Sequence, residues 1–458
     1  MLAAFGNTLR IPELRKRILF TAAMIFLCRL VSMIPTPGVD WQALQAQLQA
    51  AKEAAAEAGG LVGWFDVFSG GALSRCSVGF LGIWPYISAQ IILQLMTAII
   101  PSLGRMVREG ESGRVKFNQL TRYLSMAICV FQGYLLAAAL ENPAALGMGE
   151  AQIVTIPGLF FRLLTVISMT TASMLCVWLG DQITARGIGN GISLIIMVNI
   201  TSRLPAAIFE AKERYFGASA SATPFELLVL VIIGFLVVAG TVMLTQGVRK
   251  VPIHTARRQV GGRTYGGQAT YMPLRVNYSG VMPIIFAGPL LQFPAALLSR
   301  IPDSIEWLGW LKRFGEQLGD LSGSLHITLF TILIFFFSFF WVATQFNAVQ
   351  IADDLKKGNS FVPGVQPGRR TAEFLDHTMT RVTLIGSIGL VIIAILPQLL
   401  RGFWQVPWEM ASFFGGTSLL IIVGVALDTL RQMESHLLMR HYDGFLKHGR
   451  LQGRGRMM

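Results

Sequence analysis

Ten stretches of this chain are apolar for long enough to cross a lipid bilayer, and that repetition limits the fold more than any other feature. They run over residues 18–34, 78–100, 120–140, 159–179, 192–209, 227–244, 280–298, 327–343, 383–400 and 417–430. A spanning helix needs about 20 mostly apolar residues to cross about 30 Å of hydrocarbon, so the shorter stretches must tilt or borrow from their flanks. Because hydrocarbon offers backbone amides no water, runs this continuous must form helices. The chain is 53% hydrophobic and 14% charged, with a mean hydropathy of +0.56. Soluble domains carry nearer about 25% charge. Soluble enzymes, disordered chains and disulfide scaffolds are excluded. The first run is too long for a signal peptide, lacks a small-residue cleavage site and is followed by similar runs.

The charge has a direction. The chain has 38 Lys and Arg against 25 Asp and Glu, a net of +13. An even number of spans puts both termini on one side, and most of the basic residues fall on that side. The positive-inside rule therefore predicts cytoplasmic termini: a segment at 1–17 and a basic tail at 435–458. The four cysteines, Cys28, Cys76, Cys129 and Cys176, form no CxxC pair and read as free thiols in apolar surroundings, not as a metal or redox centre.

Two loops on the basic side are long and turn-punctuated. Residues 246–277 hold Arg249, Lys250, Arg257, Arg258, Arg263 and Arg275 and no acidic residue. Residues 346–381 hold Lys356, Lys357, Arg369 and Arg370, with Pro363-Gly364 and Pro367-Gly368 as turns. Loops of this length are uncommon unless functional. Basic juxtamembrane segments attract anionic headgroups, but the lengths and turns favour docking of an acidic or RNA-bearing cytosolic partner.

The spans themselves are nearly empty of ionisable groups, with Arg29 the clear case and Asp428 near the end of the last. Ion-coupled transporters keep such groups at membrane depth. There is no HExxH, Gly-x-Ser-x-Gly or Walker loop. Gly187-Ile188-Gly189-Asn190-Gly191 looks like a phosphate loop but follows a span instead of a strand, so helix-end punctuation is the expectation. Residues 63–78 are too polar and glycine-rich for lipid yet too apolar for an ordinary loop. They form either a short helix dipping into the membrane, hinged to the next span, or a surface-lying external helix.

These residues carry a family resemblance. Phe68-Ser69-Gly70-Gly71-Ala72-Leu73-Ser74-Arg75 followed by Leu81-Gly82-Ile83-Trp84-Pro85-Tyr86-Ile87-Ser88 resembles the plug and second span of the SecY family, the central subunit of protein-translocation channels. The stretches at 109–114, 121–123, 186–193, 277–286, 352–357, 361–364 and 414–421 match it in the same order. The resemblance implies an all-α polytopic membrane protein. Its ten transmembrane helices form two inverted five-helix halves, 18–210 and 225–434, around a central hourglass pore. It also implies a pore ring of Ile83, Ile87, Ile192, Ile196, Ile285 and Ile421, a plug at Phe68–Arg75, and a lateral gate flexing at Gly79, Gly82, Pro85, Pro283 and Pro289. The spacing agrees where it can: Ile83/Ile87 and Ile192/Ile196 are i, i+4 pairs on one helix face.

By the same resemblance the chain is a channel, not an enzyme. It works without a cofactor, in the bacterial inner membrane and surrounded by its lipids. It conducts unfolded preproteins and receives their signal peptides. SecE-like and SecG-like subunits are the expected companions, and the SecA motor or the ribosome the driving partner. Docking would fall on Arg249, Lys250, Arg257, Arg258 and Arg263, and on Lys356, Lys357, Gln366, Arg369 and Arg370. At Gln366 the family usually has arginine, and glutamine lacks the planar charged fork. The rival class is a secondary transporter with inverted repeats, disfavoured by the empty spans.

Overall fold

A computed structural model of the chain describes residues 11–40, 76–141, 153–216, 224–255, 258–260, 263–265, 269–299, 308–321, 323–404, 406, 410–411 and 417–448. It divides into two compact units. One holds 1–54, 65–203 and 425–458, and the other 55–64 and 204–424.

The first unit begins with α1 (Pro12–Val31), opened by a proline in its first turn with Glu13 beside it, where a missing N–H costs nothing and negative charge suits the helix dipole. Next come α2 (Trp84–Ile99), the short α3 (Pro101–Arg108), α4 (Glu111–Glu141), α5 (Leu159–Arg186) and α6 (Gly191–Thr201). Small residues make the packing close. The buried face of α4 reads Thr121, Ser125, Cys129, Gly133 and Ala137 at four-residue intervals, and a Cβ on Gly133 would sit 3.5 Å from the Val166 Cα of α5. In lipid, where apolar burial between helices gains little, this contact replaces the hydrophobic effect as the cohesive term. At one end the pair is tied by Arg162, whose Nε donates to Glu141 at 2.7 Å, while Glu141 also accepts the Gly158 N–H at 2.9 Å.

The second unit runs α7 (Leu204–Phe216), α8 (Pro224–Gln246), β1 (Val248–Thr255), β2 (Arg258–Val260), β3 (Arg263–Tyr265), β4 (Ala269–Arg275), α9 (Met282–Leu298), α10 (Gly309–Gly319), α11 (Ser324–Gln345), α12 (Ala348–Lys357), β5 (Ser360–Phe361) and α13 (Arg369–Trp404). The last helix, α14 (Thr417–His448), gives its first turns to this unit and the remainder to the first. The core is aliphatic and aromatic: Leu244, Ile284, Leu291, Phe330, Ile334, Leu390 and Leu420. Two prolines, Pro289 and Pro294, lie inside α9, each removing one backbone bond from the helix.

Each apolar stretch expected to span is largely helical; residues 78–83 are turns that lead into α2, and two other details differ. The stretch 192–209 is two helices, because the chain turns at 202–203 and Pro205 starts α7 afresh. The loop at 246–277 is largely β-structure. Among the described residues, five helices are long and apolar enough to cross a membrane, or six if α2 and α3 form one bent span. The 20 residues of α1 fall short because they include Glu13, Arg15, Lys16, Arg17 and Arg29.

A Cβ at Gly191 would collide with the Gly180 carbonyl, whereas one at Gly240 on α8 would meet nothing within 4 Å. Gly191→Ala should therefore lower stability by about 1–3 kcal/mol, while Gly240→Ala is neutral or stabilising by up to about 1 kcal/mol. Paired thermal unfolding in detergent measures the contrast.

Candidate docking platform and conduit residues

The two long basic loops build one substructure. β1 and β4 pair antiparallel over seven positions, from Val248↔Arg275 to His254↔Ala269. At the far end of β1, His254 and Thr255 pair with Phe361 and Ser360 of β5, which belongs to the other loop. The resulting sheet has the order β4-β1-β5. Alternation gives it an inner face: Val251 and Leu274 are buried against Val342, Val362 and Met379, with Met272, Phe346 and Phe374 packed around them. The outer face shows Lys250, Pro252 and His254, all exposed. The His254 ring lies 6.2 Å from that of Phe361.

The second loop is folded as tightly. Asn347 caps α12 by accepting the Gln350 N–H at 3.1 Å, as short polar residues do at helix starts. Asn359, with φ of 49°, turns the chain from α12 into β5. Gly364 and Gly368 adopt φ of 81° and 101°, backbone open to glycine at little cost. Between them the exposed Gln366 presents its side chain outward while its carbonyl accepts the Thr371 hydroxyl at 2.8 Å. The basic groups ring this frame. Arg249, Lys250, Lys356, Lys357, Arg369 and Arg370 are exposed. Arg369 bonds Glu373 at 3.1 Å on an open surface, an interaction worth little in water. Arg258 and Arg263 lie on the small β2–β3 hairpin, at Arg258↔Tyr265 and Val260↔Arg263. Arg257 falls outside the described residues.

The isoleucines expected to line a conduit fall in both units. In the first, Ile83 and Ile87 are buried and one turn apart, the Ile87 N–H donating to the Ile83 carbonyl at 3.1 Å. Ile192 and Ile196 are half-buried on α6. In the second, Ile285 on α9 and Ile421 on α14 are buried. The plug residues Phe68, Ser69, Gly70, Gly71, Ala72, Leu73, Ser74 and Arg75 lie outside the described residues. The chain that follows them is pinned. Thr36 donates from backbone and hydroxyl to the Cys76 carbonyl at 3.0 and 2.7 Å, and the Val78 N–H reaches Ile34 at 2.9 Å. Cys76 itself has a φ of 41°, a region that side chains enter rarely.

The glycines and prolines named for flexing occupy different settings. Gly79 lies against α1, where a Cβ would meet the Ser32 Cα at 3.1 Å, and Gly82 turns the chain at φ of 51°. Pro85 and Pro283 sit in the first turns of α2 and α9, so they start helices and do not interrupt them; Pro289 is interior.

Residues 187–191 form a knot that sequence reasoning only half foresaw. Three amides freed by the break between α5 and α6 are taken by side chains from three elements. The Ile188 N–H donates to Thr21 Oγ1 of α1 at 3.1 Å, Gly189 to Gln432 Oε1 of α14 at 2.9 Å, and Gly191 to Thr184 Oγ1 of α5 at 2.9 Å. Asn190 caps α6 through Ser193. With its amides so occupied, the loop cannot cradle a phosphate. No composition signal pointed to Thr21 or Gln432 as partners; the glycine-punctuated helix end at 187–191 was the readable part.

A family model described as SecY matches residues 77–430. The protein translocase subunit SecY of Streptomyces scabiei is 40% identical over 449 residues, covering 98% of this chain and 100% of that protein. That of Thermotoga maritima is 40% identical over 456 residues, with 99% and 100% covered. Among solved structures, one described as the structure of a protein conducting channel aligns with a TM-score of 0.57 at 16% identity, covering 93% of each chain. Another, Sec61 in the canine ribosome-channel complex from the endoplasmic reticulum, gives 0.53 at 16% identity and the same coverage. At that identity the structures speak to the fold alone.

Met379 is 1% exposed at the centre of the platform core. Met379→Ala should cost about 2–5 kcal/mol there. Limited proteolysis will register this as faster cleavage within 248–275, with the apolar helices still protected.

Proposed function

The chain belongs to the SecY family, and from that premise we propose how its parts share the work of a protein-conducting channel. It is a multi-pass membrane protein of a translocase, not an enzyme and not a solute transporter. Identity of 40% along essentially the whole of a translocase subunit carries this reading.

Within it, halves at 18–210 and 225–434 flank the path of an unfolded preprotein. Ile83, Ile87, Ile192, Ile196, Ile285 and Ile421 form the narrowest ring. Branched aliphatic groups suit a passage for arbitrary sequence, since they offer no hydrogen bond to trap a substrate, and an apolar constriction stops ions by dewetting. The plug, Phe68 to Arg75, closes the path at rest, tethered at its exit by the bonds around Cys76. Hydrophobic segments and signal peptides leave sideways into lipid through a seam beside the second and seventh spans, with Gly79, Gly82, Pro85, Pro283 and Pro289 at the bends. Gly288 and the interior prolines Pro289 and Pro294 make α9 the more deformable wall.

The platform receives the driving partner. Its cations, Arg249, Lys250, Arg257, Arg258, Arg263, Lys356, Lys357, Arg369 and Arg370, suit ribosomal RNA, and a structural relative is described within a ribosome-channel complex. A SecA-type motor is the alternative engine, meeting Gln366 at the tip. SecE-like and SecG-like subunits brace the two halves. The excess of Lys and Arg on the side of the termini supports cytoplasmic ends in a bacterial inner membrane.

Two measurements test this. Ile87→Gly combined with Ile196→Gly should raise ion leak through proteoliposomes, because the dry constriction is lost; unchanged conductance would remove these residues from the path. Arg257→Glu with Arg258→Glu should abolish ribosome or motor binding at low salt while the circular dichroism spectrum stays unaltered, and retained binding would move the docking surface elsewhere.

A further inference from the structure

Two thiols meet in the interior of the first unit. Cys28 of α1 and Cys176 of α5 are each 3% exposed, and the Cys28 thiol donates to the Cys176 sulfur across 3.5 Å. The residues are 148 positions apart, so the contact is a product of the α1–α5 packing. The other two cysteines are also free and buried: Cys76 beside Thr36, and Cys129 within the α4 stripe. Neither has a sulfur partner among the described residues. A disulfide needs its sulfurs at about 2.0 Å. Closing the remaining gap requires rotation about χ1 and a small approach of two helices already in contact.

From this pair we infer a dithiol modification site: Cys28 and Cys176 form a disulfide that bolts α1 to α5 when the membrane carries hydroperoxides. The oxidant follows from the location. The site is enclosed by apolar helices, so charged oxidants and glutathione are kept out, whereas a lipid or small organic hydroperoxide dissolves in the same phase. One sulfur attacks the distal peroxide oxygen. The O–O bond breaks, the alcohol leaves carrying the thiol proton, and the attacking cysteine becomes a sulfenic acid. The second sulfur then displaces its hydroxyl as water, forming the S–S bond. Two thiols surrender two electrons and two hydrogens, and one hydroperoxide yields one alcohol and one water. The partner sulfur lies at contact distance, so the sulfenic acid is captured before a second oxidation.

The bolt acts on a helix with a defined duty. α1 also carries Thr21, which accepts the Ile188 amide in the knot between α5 and α6. A covalent link at Cys28 and a hydrogen bond at Thr21 would hold α1 to that region at two levels, seven residues apart in the chain.

The experiment uses the full chain, purified with its companion subunits in lipid nanodiscs and exposed to tert-butyl hydroperoxide. Free thiols, titrated after unfolding without reductant, should fall from four per chain to two. Peptide mapping should recover the Cys28 peptide joined to the Cys176 peptide, with Cys76 and Cys129 unmodified. Cys28→Ser should leave Cys176 as a sulfenic or sulfinic acid and abolish the link. Cys129→Ser should leave the link intact. The same treatment in denaturing detergent should scramble the pairing. The inference is overturned if the folded wild-type protein keeps four free thiols, if Cys28 and Cys176 are oxidised singly, or if links form equally among all four cysteines.

Discussion

In hydrocarbon an amide hydrogen has nowhere to go but to another part of the same protein, and the rest of this structure follows from that restriction. Within a helix the requirement meets itself. It becomes demanding wherever a helix stops. The chain answers differently at each stop: Thr21, Thr184 and Gln432 serve the turn between α5 and α6, a proline opens α1, and mutual backbone bonds join 34–36 to 76–78. Helix packing then proceeds through small residues, because lipid competes well for large ones. That explains why Gly180 and Gly191 stand where Cβ atoms would press on a facing segment, and why Gly133 lets the Val166 backbone come close.

The helical architecture was legible because its signal is composition over about 20 residues, which single substitutions hardly blur. Ile192 to Phe209 misled for the same reason: hydropathy does not register a two-residue turn at Ser202, and Pro205 alone hinted at it. The hairpin at 248–275 was hidden by its inner face, which needs only Val251, Ile253, Met272 and Leu274 and is therefore too brief a pattern to stand out among basic residues. The pairing of His254 with Phe361 joins positions over a hundred residues apart, and no local pattern encodes it. The isoleucines proposed for the constriction rest on family resemblance, since an apolar side chain in an apolar span has no chemistry to distinguish it.

The union of the two basic loops changes the meaning of Gln366. Taken singly, a glutamine where the family resemblance implies arginine weakens one loop tip. On a shared platform the tip joins a surface that also holds Arg249, Lys250, Lys356 and Lys357, and the proposed docking partner would read the sum of their fields. The tip backbone is held by Thr371 and by two left-handed glycines, so its shape does not depend on which side chain stands at its apex.

The bond from Gly189 to Gln432 also has a place in time. The acceptor is synthesised 243 residues after the donor, and the chain is made in one direction. The first compact unit therefore stays unfinished while all of the second is being inserted, and its last stitch is sewn by the final helix. A truncation before residue 432 would leave the early half of the molecule, not the late half, with the loose end.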